Sequence, residues 1–167
     1  MLALTAGICW LVWIGANGLG SLDSPRSAKL VQLMIAGWNL LLIPAAIALY
    51  EKYKTDAMRF FTACGIVSLL FWGYGGATGT ITPGSEVVYL LLSGVWWLGI
   101  GLRLSGYFGK FTLVLGIFSI LDAVLSFFEP MPFYIYVLAA PKLPLSIIWD
   151  FWIGLKLAYA SGSKKSA

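Results

Sequence analysis

Six apolar stretches, each near the length a helix needs to cross a bilayer and each closed by a short polar break, leave this chain few choices of fold. They cover residues 2–19, 30–50, 60–78, 87–104, 111–128 and 133–157. At a rise of 1.5 Å per residue, helices of about 18–25 residues match a hydrocarbon core about 30 Å thick. The breaks are rich in turn formers and charge: residues 20–27 with Pro25, residues 51–59, Thr82-Pro83-Gly84-Ser85, residues 105–110, and Glu129-Pro130-Met131-Pro132. Inside hydrocarbon a single segment satisfies all its own backbone hydrogen bonds only as a helix. The expected fold is therefore all-α, a polytopic integral membrane bundle of six transmembrane helices. Residues 1–167 form a single transmembrane domain, with a short polar tail over 160–167.

Composition agrees. Hydrophobic residues make up 60% of the chain and charged residues 11%, against about 25% charged in soluble domains. A soluble protein of this size has too little interior to hide so much apolar surface, and the mean hydropathy of +0.88 points the same way. The first apolar stretch has no basic residue ahead of it, so it reads as a retained helix and not as a cleaved signal.

The basic residues set the orientation. Six spans put Lys52, Lys54, Arg59, Arg103, Lys110, Lys156, Lys164 and Lys165 on one side, and only Arg26 and Lys29 on the other. Eight against two is a strong positive-inside bias, which predicts both termini in the cytoplasm of a multi-pass protein of the cell (inner or plasma) membrane. Lys142 belongs to neither side because it falls within the sixth segment. The net charge of +4 is thus a matter of topology; no basic stripe suited to nucleic acid is present. Trp10, Trp13, Tyr50, Tyr53, Tyr107, Trp149, Trp152 and Tyr159 lie near segment ends, where amphipathic rings favour the headgroup level. Trp96-Trp97, by contrast, offers the makings of an aromatic-lined pocket.

Several kinds of chemistry are excluded or unsupported. The chain has no histidine, which removes His-ligated haem, His-containing metal sites and histidine base catalysis. Cys9 and Cys64 each sit in an apolar run and read as small buried hydrophobes. No CxxC, phosphate-cradling loop or triad-capable set is present, and Glu129, on the face of Asp122, sits at the outer boundary. The chain is accordingly read as non-enzymatic, with no catalytic residue, no metal and no cofactor.

Three ionisable residues need a reason for lying inside a bilayer, where each costs about 2.5–3.5 kcal/mol on insertion scales. Asp122 falls in the fifth segment about two turns from its outer end, and Lys142 in the sixth about two and a half turns from its outer end. In antiparallel neighbours these offsets bring the two to similar depth, which predicts an Asp122–Lys142 ion pair. Asp150 lies about 12 Å further along a continuous helix. The run Ala139-Ala140-Pro141-Lys142-Leu143-Pro144 flanks the lysine with prolines, so the sixth segment is expected to be broken or kinked there. In the other arrangement residues 133–140 lie at the interface and Lys142 snorkels outward. Gly73, Gly75, Gly76 and Gly79 cluster at the end of the third segment, Gly75 and Gly79 forming a GxxxG, and read as helix-packing positions. Asn17 and Asn39 read as hydrogen-bonding glue between helices.

Ser105-Gly106-Tyr107-Phe108, Lys110 and the span containing Leu121-Asp122-Ala123 resemble a stretch of the DUF4386-like bacterial membrane proteins. The last segment, with prolines before an acidic residue and a final apolar run into a basic tail, is similar to the same family. The resemblance covers residues 97–159 and implies a six-helix bundle of unassigned function. The distance from the Ser-Gly-Tyr element to the aspartate is about one helical turn shorter here. Asn17-Gly18 and Pro25-Arg26-Ser27 are also similar to the urea and amide channel family, but that family's closing Glu-Gly motif is absent and its orientation is opposite to the charge count.

Two functions fit these residues. One is a non-enzymatic accessory or scaffold subunit, packing through glycine-rich and aromatic faces within a larger membrane assembly and contacting lipids or apolar cofactors. The other is a channel or transporter for a small solute or lipid, with Asp122, Lys142 and Asp150 along the path. Expected partners are membrane lipids and other membrane subunits or further copies of the chain.

Overall fold

The computed structural model describes residues 25–127 and 140–162. These form five helices: α1 (Pro25–Lys52), α2 (Asp56–Thr78), α3 (Pro83–Arg103), α4 (Gly106–Phe127) and α5 (Ala140–Gly162). There is no strand among the described residues. The first apolar stretch, with Asn17, and residues 133–139 lie outside the described residues, as does Glu129. Residues 32–52, 56–78, 84–103 and 106–126 are four helical spans long and apolar enough to cross a membrane. The chain is thus an all-helical protein of membrane-spanning character.

The helix ends follow from local chemistry. Thr55 caps α2, its side chain accepting from the Met58 N–H at 3.2 Å. Thr82 and Ser85 form a reciprocal capping box at the start of α3, with Pro83 in its first turn where no N–H is needed. Gly79 ends α2 with φ +69°, a left-handed conformation that costs a residue with a Cβ about 1–2 kcal/mol, and its N–H returns to the Gly75 carbonyl. The connections are therefore short (residues 53–55, 79–82 and 104–105), and α1 to α4 run up and down beside one another. Lys52, Lys54, Arg59, Arg103, Lys110 and Lys156 gather at one end of the bundle, here the basic end.

Two expectations change in the structure. The last helix is continuous from Ala140 to Gly162 and passes through Pro144. Pro141 falls in the first turn, where its missing N–H removes nothing, so only Pro144 deletes a helical hydrogen bond. The formal GxxxG also does not supply the packing pair. Gly73 and Gly76, three apart, are the positions pressed against α1: a Cβ on Gly73 would meet Leu40 and Asn39, and one on Gly76 would meet Ile35 and Ala36. Gly75 faces Ile81 of the following loop, and Gly79 is the exposed cap. Asn39 is fully buried at the α1–α2 contact, and its amide donates to the Ile35 carbonyl of its own helix at 2.8 Å.

The outward faces of α2 and α4 are apolar. Phe60, Val67, Phe71 and Tyr74 share the exposed face of α2, and Val114, Ile117, Leu121 and Val124 that of α4. At helical spacing these are continuous apolar stripes that water would not tolerate and lipid would. Polar side chains are turned inward instead: Ser68, Ser93, Thr112 and Ser119 are all buried.

Candidate functional site

The interior charges collect where α5 meets α4 and α1. Asp122, near the C-terminal end of α4, and Lys142, in the first turn of α5, are both buried, and Lys142 Nζ lies 3.0 Å from Asp122 Oδ2. The expected pair is therefore formed. A cation in the first turn of a helix opposes the positive end of the helix dipole, so Asp122 offsets an unfavourable position as well as a desolvated charge.

Lys142, Ser146 and Asp150 follow at intervals of four and lie on one face of α5. All three are buried. Asp150 is completely so, and the indole Nε1–H of Trp38 on α1 donates to its Oδ2 at 2.6 Å. No donor reaches Asp150 Oδ1 among the described residues. On α3, Glu86 occupies the first turn and is exposed; it lies within electrostatic range of both Asp122 and Lys142. Tyr89, one turn deeper and buried, lies within range of both Glu86 and Asp150, and its ring stacks on Trp72 of α2 at 4.5 Å. On α4, Ser119 sits one turn below Asp122 and meets Ser93 of α3 at 3.1 Å. A polar seam thus runs between α3, α4 and α5 from the end opposite the basic one toward Asp150.

Below the seam the interior turns aromatic. Trp149 packs edge-on against Trp96 and Trp97 of α3 at 5.6 and 6.1 Å, and its indole donates to Thr112 of α4 at 3.0 Å. Trp149 is wholly buried, so it serves the core and not the headgroup level expected of it. Trp96 is held in place by Gly65 of α2, where a Cβ would come 2.5 Å from the indole ring. Trp96-Trp97, the candidate aromatic pocket, is packed tightly into this cluster, with both Nε1–H groups unpartnered among the described residues.

Compared with known proteins, this chain matches no family model, no curated protein and no solved structure. The site must be read on its own chemistry. Three residues of it carry little signal in the sequence. Trp38 lies in an apolar run with nothing to distinguish it, and Tyr89 looks like one more aromatic in a span. Glu86 was visible as an acid at the mouth of the fourth segment, and its position before a strongly apolar run was the one available signal.

Proposed function

We propose that the protein is a multi-pass membrane carrier for a small solute, with Asp122, Lys142 and Asp150 along its path and both termini on the cytoplasmic side of the cell membrane. The carrying observation is that these three charged side chains point into the bundle and none toward the lipid-facing surface. A bundle that needed only to persist in lipid would lose nothing by replacing them with apolar residues. Kept inside, they give a polar solute partners at successive depths, from the Asp122–Lys142 pair to Asp150, two turns further along α5. The glycine-rich faces, which an association role would call upon, are occupied within the chain: Gly73 and Gly76 by α1, Gly65 by Trp96.

The test is flux into liposomes carrying the purified full chain. Vesicles are shrunk in urea, glycine, choline chloride or potassium acetate, and reswelling is followed by light scattering. The wild-type chain is expected to accelerate reswelling in at least one solute. The isosteric Asp150→Asn variant and the charge-neutral Asp122→Asn/Lys142→Met double variant are expected to abolish that gain while eluting as folded protein. Equal rates in all three chains would remove the carrier reading.

A second reading, an accessory subunit of a membrane assembly, is favoured by the loops. Only residues 53–55, 79–82 and 104–105 separate successive helices among α1 to α4, so these connections offer little to a soluble partner. That reading expects other membrane subunits to co-purify in mild detergent; recovery as a lone monomer would count against it.

A further inference from the structure

Asp150 poses a problem that the Asp122–Lys142 pair does not. It is fully buried in an apolar bundle, with one neutral donor, Trp38, on Oδ2 and none on Oδ1 among the described residues. An ionised carboxylate in such a place is expensive unless a cation accompanies it. The cations on its own helix are engaged elsewhere: Lys142 lies two turns away on Asp122, and Lys156 reaches out over the Phe108 ring at 4.8 Å. From α1 the facing group is Trp38. From α3 it is Tyr89, with Glu86 a turn beyond, and from α4 it is Asp122, already paired. α2 contributes Trp72, stacked behind Tyr89. Among the described residues, every ionisable group facing Asp150 from a neighbouring helix is therefore acidic or already paired.

We infer that Asp150 is a proton-binding site, taking up a proton inside the bundle and releasing it when the surrounding helices part, so that solute and proton move together. The inference rests on the carrier reading above and names the ion that accompanies the solute. Other cations fit poorly. A hard metal ion needs about six oxygen ligands, and here one of the two carboxylate oxygens is taken up by an indole. A proton needs a single lone pair, which Oδ1 has. The proton comes from water at one face and returns to water at the other, so no redox partner or leaving group is involved. Tyr89, whose hydroxyl both donates and accepts, is buried within electrostatic range of both the exposed Glu86 and Asp150, and is the group through which a proton would pass between them. Trp38 holds the carboxyl group in a fixed orientation through both protonation states.

The decisive measurement is infrared difference spectroscopy of the full chain in lipid bilayers, across a pH series in H2O and D2O. The expected result is a carbonyl stretch of a protonated carboxyl group that shifts down in D2O and disappears as the pH is raised. Asp150→Asn removes it and Glu86→Gln leaves it in place. Should Asp150→Asn fail to fold, Asp150→Glu and Trp38→Phe serve instead, each expected to move the band's frequency without abolishing it. Absence of any band sensitive to position 150, or a band that persists at every pH the protein survives, overturns the inference. The two readings fail separately. Flux lost in Asp150→Asn without such a band keeps the carrier and rejects the proton. The band in a wild-type chain that gives no reswelling above protein-free vesicles rejects the carrier and leaves Asp150 as a proton site.

Discussion

Two lysine–carboxylate pairs in this protein have nearly the same length and opposite surroundings. Lys54 and Glu51, at the basic end, approach to 2.7 Å with 61% and 55% of their side chains exposed. Lys142 and Asp122, at the other end, stand 3.0 Å apart with 11% and 9% exposed. The longer pair is the one whose partners depend on each other. In water the partners of the first pair are each solvated whether or not they meet, and salt screens what attraction remains. Inside the bundle neither partner of the second has an alternative, so each makes the other tolerable. Burial, not distance, decides what a charge contributes here.

The sharpest way to break this comparison is to remove one partner of the buried pair. Asp122→Asn leaves Lys142 desolvated in the first turn of α5 with no counter-charge, and is expected to destabilise the protein by about 3–5 kcal/mol. Replacing both partners by apolar side chains, Asp122→Leu with Lys142→Met, is expected to recover most of that loss. Reversible unfolding in mixed micelles measures both, and a double variant no more stable than the single one would mean that the two residues are not energetically coupled.

The same contrast between buried and open positions applies to glycines. At Gly65 a Cβ would stand 2.5 Å from the Trp96 ring, whereas at Gly84 nothing lies within 4 Å. Trp96 cannot simply move aside, because Trp97 stacks beside it and Trp149 meets it edge-on. Gly65→Ala is therefore expected to cost about 1–3 kcal/mol through overpacking. Gly84→Ala, in the first turn of α3, is expected to cost nothing in the same micelle assay. A tolerated Gly65→Ala would show that the aromatic cluster has slack, and would weaken the case that it fixes α5 against α3 and α4.

What the sequence made legible follows the same division. Apolar length, proline and charge marked out every described helix, because hydrocarbon imposes its thickness on any segment that crosses it. The depth of Asp122 and Lys142 could be counted from segment ends, since neighbouring antiparallel helices share one ruler. Partners across the bundle were another matter. Trp38 and Asp150 are 112 residues apart, and no periodicity tells one tryptophan in an apolar run from the next. Spacing also misled at the glycines. GxxxG names two residues on one face, yet here Gly79 has already left the helix with a positive φ, and the face in contact is set by Gly73 and Gly76. The prolines around Lys142 suggested a break because a sequence does not show where a helix starts; with Ala140 first, both lie within its opening two turns.

The smallest expected effect belongs to the exposed pair and completes the contrast. The hydrogen bond from Lys54 to Glu51, and then the charge of that carboxylate, hold the ammonium above its ordinary value of 10.5. A cation whose pKa is raised by folding adds stability that is whole below its unfolded value and is lost as the pH rises through the folded one. Any contribution from Lys54 would therefore vanish only above about pH 10.5. Because both groups are open to water, that contribution is screened away, and Lys54→Met is expected to leave the unfolding midpoint unchanged at neutral pH, in low salt and in high. A measurable loss that salt abolishes would mean that the basic end is organised by its charges, and that the distinction drawn here between the two ends is too simple.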